Sequence, residues 1–125
     1  MKLARLTDSR LHAALRKLSA APLPLRVAFK LKGIQAKVDE ELKKFEEVRQ
    51  GALEKFGKKD ADGKLVTKDD GQVEFEPGQL KAFAEELNEL GTTDIEMSSV
   101  KLDELGDKVE LSVDELSLLG NIIVE

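Results

Sequence analysis

The chain has 125 residues, a formal net charge of −5, 41% hydrophobic and 36% charged residues, and no cysteine. This length suits one domain, and the composition excludes a membrane-embedded or an intrinsically disordered chain. The lack of cysteine excludes disulfide scaffolds, thiolate metal sites and cysteine nucleophiles. With five Phe and neither Trp nor Tyr, the core must consist mainly of aliphatic side chains, which favours packed helices.

Charge is distributed unevenly along the chain. Residues 1–32 carry eight Lys or Arg and one acidic residue, a net charge of +7, whereas the remaining 12 basic and 24 acidic residues give −12. A basic segment of this kind can bind an acidic partner such as nucleic acid, or it can pack against the acidic surfaces of its own chain. Because the chain as a whole is acidic, we expect the second and do not expect nucleic acid as a partner.

The first predicted helix starts after a cap at Thr7 or Asp8 and runs to about residue 20. Its apolar residues at helical spacing are Leu11, Ala14, Leu15 and Leu18. Pro22 and Pro24 then interrupt the pattern, because proline is excluded from helix interiors. We expect a sharp connection to a second helix, so that the two form an antiparallel helical hairpin.

The second predicted helix, residues 24–56, has the strongest pattern in the chain. Its apolar residues recur at steps of three to five and are Leu25, Phe29, Ile34, Val38, Leu42, Phe45, Val48, Leu53 and Phe56. About 33 helical residues span roughly 50 Å, whereas a globule of this size has a radius of gyration of roughly 14 Å. The helix must therefore project, and we expect the chain itself and a partner to cover its apolar stripe together.

Residues 57–77 read GKKDADGKLVTKDDGQVEFEP and invite three interpretations. A calcium loop fails because Lys58 would occupy the first ligand position, where an oxygen donor is needed. A phosphate loop fails because the Gly-Lys-Ser/Thr ending is missing. The remaining interpretation is a turn between two short strands.

A small β-hairpin is therefore predicted around a two-residue turn formed by Asp70 and Gly71. In this register Val66 lies opposite Phe75, and both share one face with Val73. An Asp-Gly pair flanked by alternating apolar residues is typical of such hairpins. We expect no internal repeat here or elsewhere in the chain.

Four short elements are predicted after the hairpin. They are a helix at 79–90, an interrupted strand at 95–102, a strand at 109–111 and a helix at 113–119. Gly91 is expected to cap the first of these helices, and Ser112 with Glu115 forms a capping box before the last. Gly120 should end that helix and leave an apolar tail. The chain is thus predicted to be a single α+β, helix-rich domain over 1–125, with a helical hairpin followed by a mixed part from residue 57.

No arrangement of residues typical of catalysis is present. His12 is the only histidine, and no cysteine or second histidine can complete a metal site with it. The serines lack the Gly-x-Ser-x-Gly or Ser-x-x-Lys surroundings of nucleophiles, and the carboxylates are explained by helix faces and caps. We therefore expect neither an enzyme nor a bound cofactor.

Three stretches of the chain together resemble a known family. They read APLPLRVAFKLKGIQAKVDEELKKFEEVRQGALEKFGKKDADGKL, FAEELNELGTTDIEM and LDELGDKVELSVDELSLL. In this order they are similar to a family of small uncharacterised tailed-bacteriophage proteins, and the similarity covers nearly the whole chain. The resemblance implies a phage product without known catalytic activity, and it supplies no active-site residues.

These expectations lead to a functional hypothesis. We expect a non-enzymatic phage structural or assembly protein that contacts other phage structural proteins or a second copy of itself. The alternative is a small regulator that binds and inhibits a host protein or defence factor. No apolar run approaches the roughly 20 residues that span a bilayer, so we expect the host cytoplasm or the virion. The candidate contact residues are Arg10, Arg16, Lys17, Arg26, Lys30, Val66, Val73 and Phe75.

Overall fold

The computed structural model describes residues 1–125. Its elements in chain order are α1 Leu3–Leu6, α2 Ser9–Ala20, α3 Leu25–Phe56, α4 Gln79–Gly91, β1 Val100–Lys101, a 3-10 helix Leu102–Leu105, α5 Val113–Leu118 and β2 Ile123–Val124. Helices predominate and the only sheet has two strands, which confirms the helix-rich α+β class.

Local sequence determines where the helices begin. The Asp8 carboxylate accepts a hydrogen bond from the Arg10 amide at 2.9 Å and caps α2. Ser112 and Glu115 form the predicted capping box of α5, since each side chain accepts from the backbone amide of the other residue. The short helix α1 has no such side-chain cap and was not predicted.

A cluster of 15 buried apolar residues, here called the main core, joins α1, α2, the first half of α3 and the C-terminal segment. Helix α2 contributes Leu11, Ala14, Leu15 and Leu18, as predicted. Helix α3 contributes Val27, Leu31, Ile34 and Val38, at steps of four, three and four residues. This spacing keeps one narrow stripe of α3 against its neighbours.

Glu41 marks the end of the main core along α3. It is the only buried charged residue, and it occupies the next position of the same stripe. Its carboxylate is 3.0 Å from the Lys37 ammonium and 3.3 Å from that of Lys44, so its charge is compensated on its own helix. The hydrogen bond from Lys37 lowers the pKa of Glu41, and Lys44 acts in the same direction. The second half of α3 therefore extends beyond the main core.

The C-terminal pairing differs from the prediction. Strand β1 pairs in parallel with β2, with Val100 opposite Ile123, and the predicted strand at 109–111 does not form. The expected apolar tail is thus the second strand of the sheet, and the interrupted strand at 95–102 is reduced to two residues. Parallel strands require a long crossover connection, which here contains the 3-10 helix and α5.

The first residues of the chain pair with the segment after α4. The Leu3 amide donates to the Thr93 carbonyl at 2.9 Å, and the Ile95 amide donates to the Met1 carbonyl at 2.8 Å. Gly91 is the last residue of α4 and is buried, with Ala4 only 3.1 Å from the position of an added Cβ. The predicted cap role of Gly91 is wrong, because Thr92 occupies that position and this glycine provides close packing instead.

Three short segments after α3 meet in a closed ring of backbone hydrogen bonds, here called the backbone ring. The Lys58 amide donates to the Glu74 carbonyl at 2.8 Å, the Glu74 amide to the Val66 carbonyl at 2.9 Å, and the Val66 amide to the Lys58 carbonyl at 2.9 Å. Residues 58, 66 and 74 are eight apart, since 66 − 58 and 74 − 66 both equal 8. The backbone hydrogen bonding of this segment therefore recurs every eight residues.

The two predicted strand segments do pair in an antiparallel way, but with a different turn and register, and a third segment joins them in the ring. The predicted register, with Val66 opposite Phe75, would place Lys68 opposite Val73. In the structure Thr67 lies opposite Val73, and the Gly71 amide donates to the Lys68 carbonyl at 2.9 Å. The connection is thus a three-residue loop that ends with Gly71 at φ +84°, a conformation that favours glycine. The extra loop residue shifts the register by one, so Val66 no longer lies opposite Phe75; instead Phe75 pairs with Gly57.

Gly57 lies where the three segments come together. An added Cβ would be 2.6 Å from the Leu53 carbonyl oxygen, 2.6 Å from Leu65 Cδ2 and 2.9 Å from Val73 Cγ1. Residues 57, 65 and 73 precede the three ring residues by one position each, so they are equivalent in the repeat. The side chains of Leu65 and Val73 fill the centre, where Gly57, at the third equivalent position, has no side chain. We call residues 53–83, around this centre, the ring region.

Candidate interaction surfaces

Two of the five basic contact candidates pair with the acidic C-terminal part of the chain. The Lys17 ammonium is 2.8 Å from the Glu115 carboxylate, and the Lys30 ammonium is 3.3 Å from that of Glu104. These contacts join the first two long helices to α5 and to the 3-10 helix. The packing of the basic segment against its own acidic residues, expected from the charge distribution, is therefore found at both positions.

The same pairs change the titration of the two carboxylates. The hydrogen bond from Lys17 lowers the pKa of Glu115, and the Ser112 amide of the capping box lowers it further. The hydrogen bond from Lys30 lowers the pKa of Glu104 in the same way. Both carboxylates are thus held in the charged form that the pairs require.

The other three basic candidates have different surroundings. Arg10 pairs locally with Asp8 at 2.9 Å, next to the cap of α2. Arg16 and Arg26 are exposed and have no ion pair in the structure. Arg26 lies in the first turn of α3, so it is far along the surface from the ring region.

Arg5 has a role that the sequence did not reveal. Its guanidinium donates to the Leu118 carbonyl at 2.8 Å and to the Ser117 carbonyl at 3.4 Å. These carbonyls lie at the C-terminal end of α5, where backbone acceptors lack helical partners and a positive charge is favourable. Arg5 thus connects α1 to the end of a helix more than 110 residues later in the sequence.

The three apolar candidates lie in the ring region, where they are half-buried. The Phe75 ring is 5.3 Å from the ring of Phe83, which in turn is 6.5 Å from that of Phe56. Val73 lies at the centre beside Gly57, and Val66 contributes its backbone to the backbone ring. Phe75 therefore packs against α4, and all three side chains are partly covered within the chain itself.

Two of the three most exposed large apolar side chains lie instead at the start of α3. Leu25 is 89% exposed and Phe29 is 82% exposed. They are four residues apart, so they are neighbours on one helix face. Arg26 and Lys32 are three residues before and after Phe29, and neither has an ion pair. We call these four residues the helix-start patch.

Leu25 and Phe29 belong to the apolar stripe predicted for α3, but the stripe that is buried in the structure does not include them. Successive residues of a helix are about 100° apart around the axis, so Phe29 lies about 200° from the buried residues Val27 and Leu31. The step of five residues between Phe29 and Ile34 in the predicted stripe already indicated the error. The alternative spacing of four, three and four residues could have been read from the sequence.

A groove of about 440 Å³ lies between α3 and α4. Its apolar floor is formed by Val48, Ala52, Leu87 and Leu90, and Val48 is 54% exposed. Glu86 and Glu89 border the groove. The Lys55 ammonium is 3.6 Å from the Glu86 carboxylate, whereas Glu89 has no ion pair. The groove therefore combines an exposed apolar floor with an acidic border.

Other features of the structure offer less to a ligand. A cleft of about 670 Å³ between α3 and the segment after α4 is lined by two charged side chains, Lys37 and Glu96, and by Met1, whose N-terminal ammonium donates to the Ile95 carbonyl. The His12 Nε2–H donates to the Leu6 carbonyl at 2.6 Å, a local packing contact. No group of three or more His, Asp or Glu side chains is arranged to hold a metal ion.

Comparison with models of protein families, with curated proteins and with solved structures finds no match to this chain. None of its helices has the length and apolar character needed to cross a membrane.

Proposed function

We propose that the protein is a non-enzymatic structural or assembly protein of a tailed bacteriophage and acts through protein contacts. The observation that supports this best is the helix-start patch, where Leu25 and Phe29 are almost fully exposed on a regular helix. Large apolar side chains that are adjacent and exposed are typical of interaction sites. The phage assignment rests on the sequence resemblance.

The position of the patch suits contact with another protein. It lies directly after the connection Ala21–Pro24, at the end of a helix of 32 residues that spans about 48 Å. We propose that α2 and α3 form an antiparallel helical hairpin with this connection at its tip, because short connections are typical of antiparallel helix neighbours. The patch would then be presented at one end of a rigid element.

The experiment that tests the proposal is mass spectrometry of purified phage particles and of infected cells. A structural protein is expected in the particles at a copy number that fits a ring or a shell. An assembly protein is expected in the cells, bound to phage structural proteins. Isolation only with a host enzyme or defence factor would contradict the proposal and support the regulator instead.

A substitution connects this test to the patch. Phe29→Asp should reduce incorporation into particles, or binding to phage proteins, because it places a charge in an apolar contact. Val113→Asp is the matched control, since Val113 is 83% exposed on a different element. Equal incorporation of both variants and of the unaltered protein would show that the patch is not the contact surface.

A further inference from the structure

We propose that the helix-start patch of one copy binds in the groove between α3 and α4 of a second copy of this chain. The inference rests on the proposed protein-contact function and names the partner of the patch. It starts from two surfaces with complementary character. Phe29, with Arg26 and Lys32 beside it, is apolar and basic, whereas the groove around Val48 is apolar with an acidic border.

Charge decides which surfaces can meet. If two patches met each other across a twofold axis, Arg26 and Lys32 of one copy would approach those of the other, which is unfavourable. In the patch-to-groove arrangement they approach Glu89, which has no ion pair within its own chain. Lys55 already compensates Glu86, so Glu89 provides the free negative charge.

One copy cannot join its own two surfaces. Phe29 and Val48 lie on the same helix, 48 − 29 = 19 residues apart, which is about 28 Å along the axis. The continuous helix α3 keeps them at this distance. Contact between the two surfaces must therefore be between copies. After one such contact, the copy that inserts its patch keeps a free groove and the other copy keeps a free patch.

This geometry makes the interface heterologous. When different surfaces of each copy meet, association continues into a closed ring or an open filament unless the two contacts close a dimer. Such assembly fits the rings and tubes that structural proteins form. The patch contributes few side chains, so assembly should depend on protein concentration and weaken with salt, which screens the charges at its border.

Mixing two variants tests the inference. Phe29→Asp removes the patch and Val48→Asp removes the groove, and each variant alone should associate at least about tenfold more weakly than the unaltered protein. Each variant keeps one intact surface, so an equimolar mixture should form a 1:1 complex that cannot grow further. Light scattering coupled to size-exclusion chromatography measures both results.

Control measurements separate this interface from folding and from other contacts. Circular dichroism should show unchanged helix content for both variants, because both side chains are largely exposed. Val113→Asp should associate as the unaltered protein does. Arg26→Glu and Glu89→Lys should each weaken association. A variant that carries both substitutions should recover part of it.

Three results would overturn the inference. They are a monomer at every concentration of the unaltered protein, a failure of the mixed variants to form the 1:1 complex, and association of the Phe29→Asp variant at full strength. Each would leave the proposed function open to its own test, because particle mass spectrometry does not depend on self-association.

Discussion

Fifteen apolar side chains are buried in the main core, whereas only Leu53 and Phe83 are buried in the ring region. The ring region uses a closed set of three backbone hydrogen bonds and a glycine at the centre instead. Both regions are attached to α3, one to each half of the helix. The two halves of α3 are therefore packed differently. Buried side chains fill the main core, whereas the segments of the ring region come close together because Gly57 has no side chain.

Because of this difference, the two regions should be sensitive to different kinds of substitution. In the main core, removing atoms leaves a cavity, so large-to-small substitutions should be the most harmful. At the centre of the ring region, adding a single carbon should be harmful, because the available space is already filled. Opposite kinds of substitution should therefore distinguish the two regions.

The largest effect is expected for Leu15→Ala. Leu15 is 1% exposed, and its truncation should reduce the free energy of unfolding by about 2–5 kcal/mol through lost burial and cavity formation. Denaturant titration measures the change. Leu25→Ala is the control, because Leu25 is exposed and should change stability by less than about 0.5 kcal/mol. Similar losses for both would contradict the assigned core.

Gly57→Ala is expected to destabilise the ring region by about 1–3 kcal/mol, because the added Cβ meets backbone and side-chain atoms at 2.6 Å. Hydrogen exchange at the amides of Lys58, Val66 and Glu74 should accelerate, while the main core should stay protected. Gly51→Ala, six residues earlier on α3, has nothing within 4 Å and should stabilise the protein by about 1 kcal/mol. Slower exchange at the ring amides of Gly57→Ala would contradict the ring geometry.

A smaller effect is expected for Ser112→Ala. This substitution removes one half of the capping box of α5, which should cost about 1 kcal/mol in thermal unfolding. Ser117→Ala lies within the same helix and has no side-chain hydrogen bond, so it should be neutral or slightly stabilising. If the two variants unfold at the same temperature, the cap contributes nothing to stability.

The smallest effect is expected from mild acid at the two ion pairs that join α5 and the 3-10 helix to the first two long helices. The pKa values of Glu104 and Glu115 are lowered in the folded protein, so their pairs stabilise it above the ordinary value of 4.5. This contribution is lost as the pH falls through the lowered values. The protection of the α5 amides against hydrogen exchange, measured relative to the intrinsic exchange rate at each pH, should therefore fall below about pH 4.5.

Replacing both carboxylates tests the origin of this acid response. In a Glu104→Gln, Glu115→Gln variant, exchange in α5 should already be faster at neutral pH and should respond less to acid. Exchange at the backbone ring should be the same in the variant and in the unaltered protein. An unchanged acid response in the variant would assign it to other groups.

Sequence reasoning located the long elements well, because caps and periodicity are local. Asp8 caps α2, the predicted helix at 24–56 is found at 25–56, and Ser112 begins the final helix. The orientation of the apolar stripe on α3 was less accurate, because several spacings fit an amphipathic helix. The spacing of Val27, Leu31, Ile34 and Val38 was also present in the sequence, and their burial selects the stripe that leaves Leu25 and Phe29 exposed.

Pairing between distant segments was not predictable in the same way. Parallel pairing of Val100 with Ile123 depends on a crossover that no local pattern specifies. The backbone ring did leave a trace, since the Asp-Gly pairs at 62–63 and 70–71 are eight residues apart. That trace fits a hairpin equally well, and only the third segment, which returns to Gly57, distinguishes the two.

The closed backbone ring also has a consequence for how this chain can change over time. Its closure depends on three residues, and the two loops between them, 60–64 and 68–72, lie outside it. Insertions there would lengthen a loop without breaking the three hydrogen bonds of the backbone ring. Exposed loop tips commonly tolerate insertions. The two loops are thus sites where new sequence can be acquired or grafted. Helices α3 and α4, on the remaining side, connect the backbone ring to the rest of the protein.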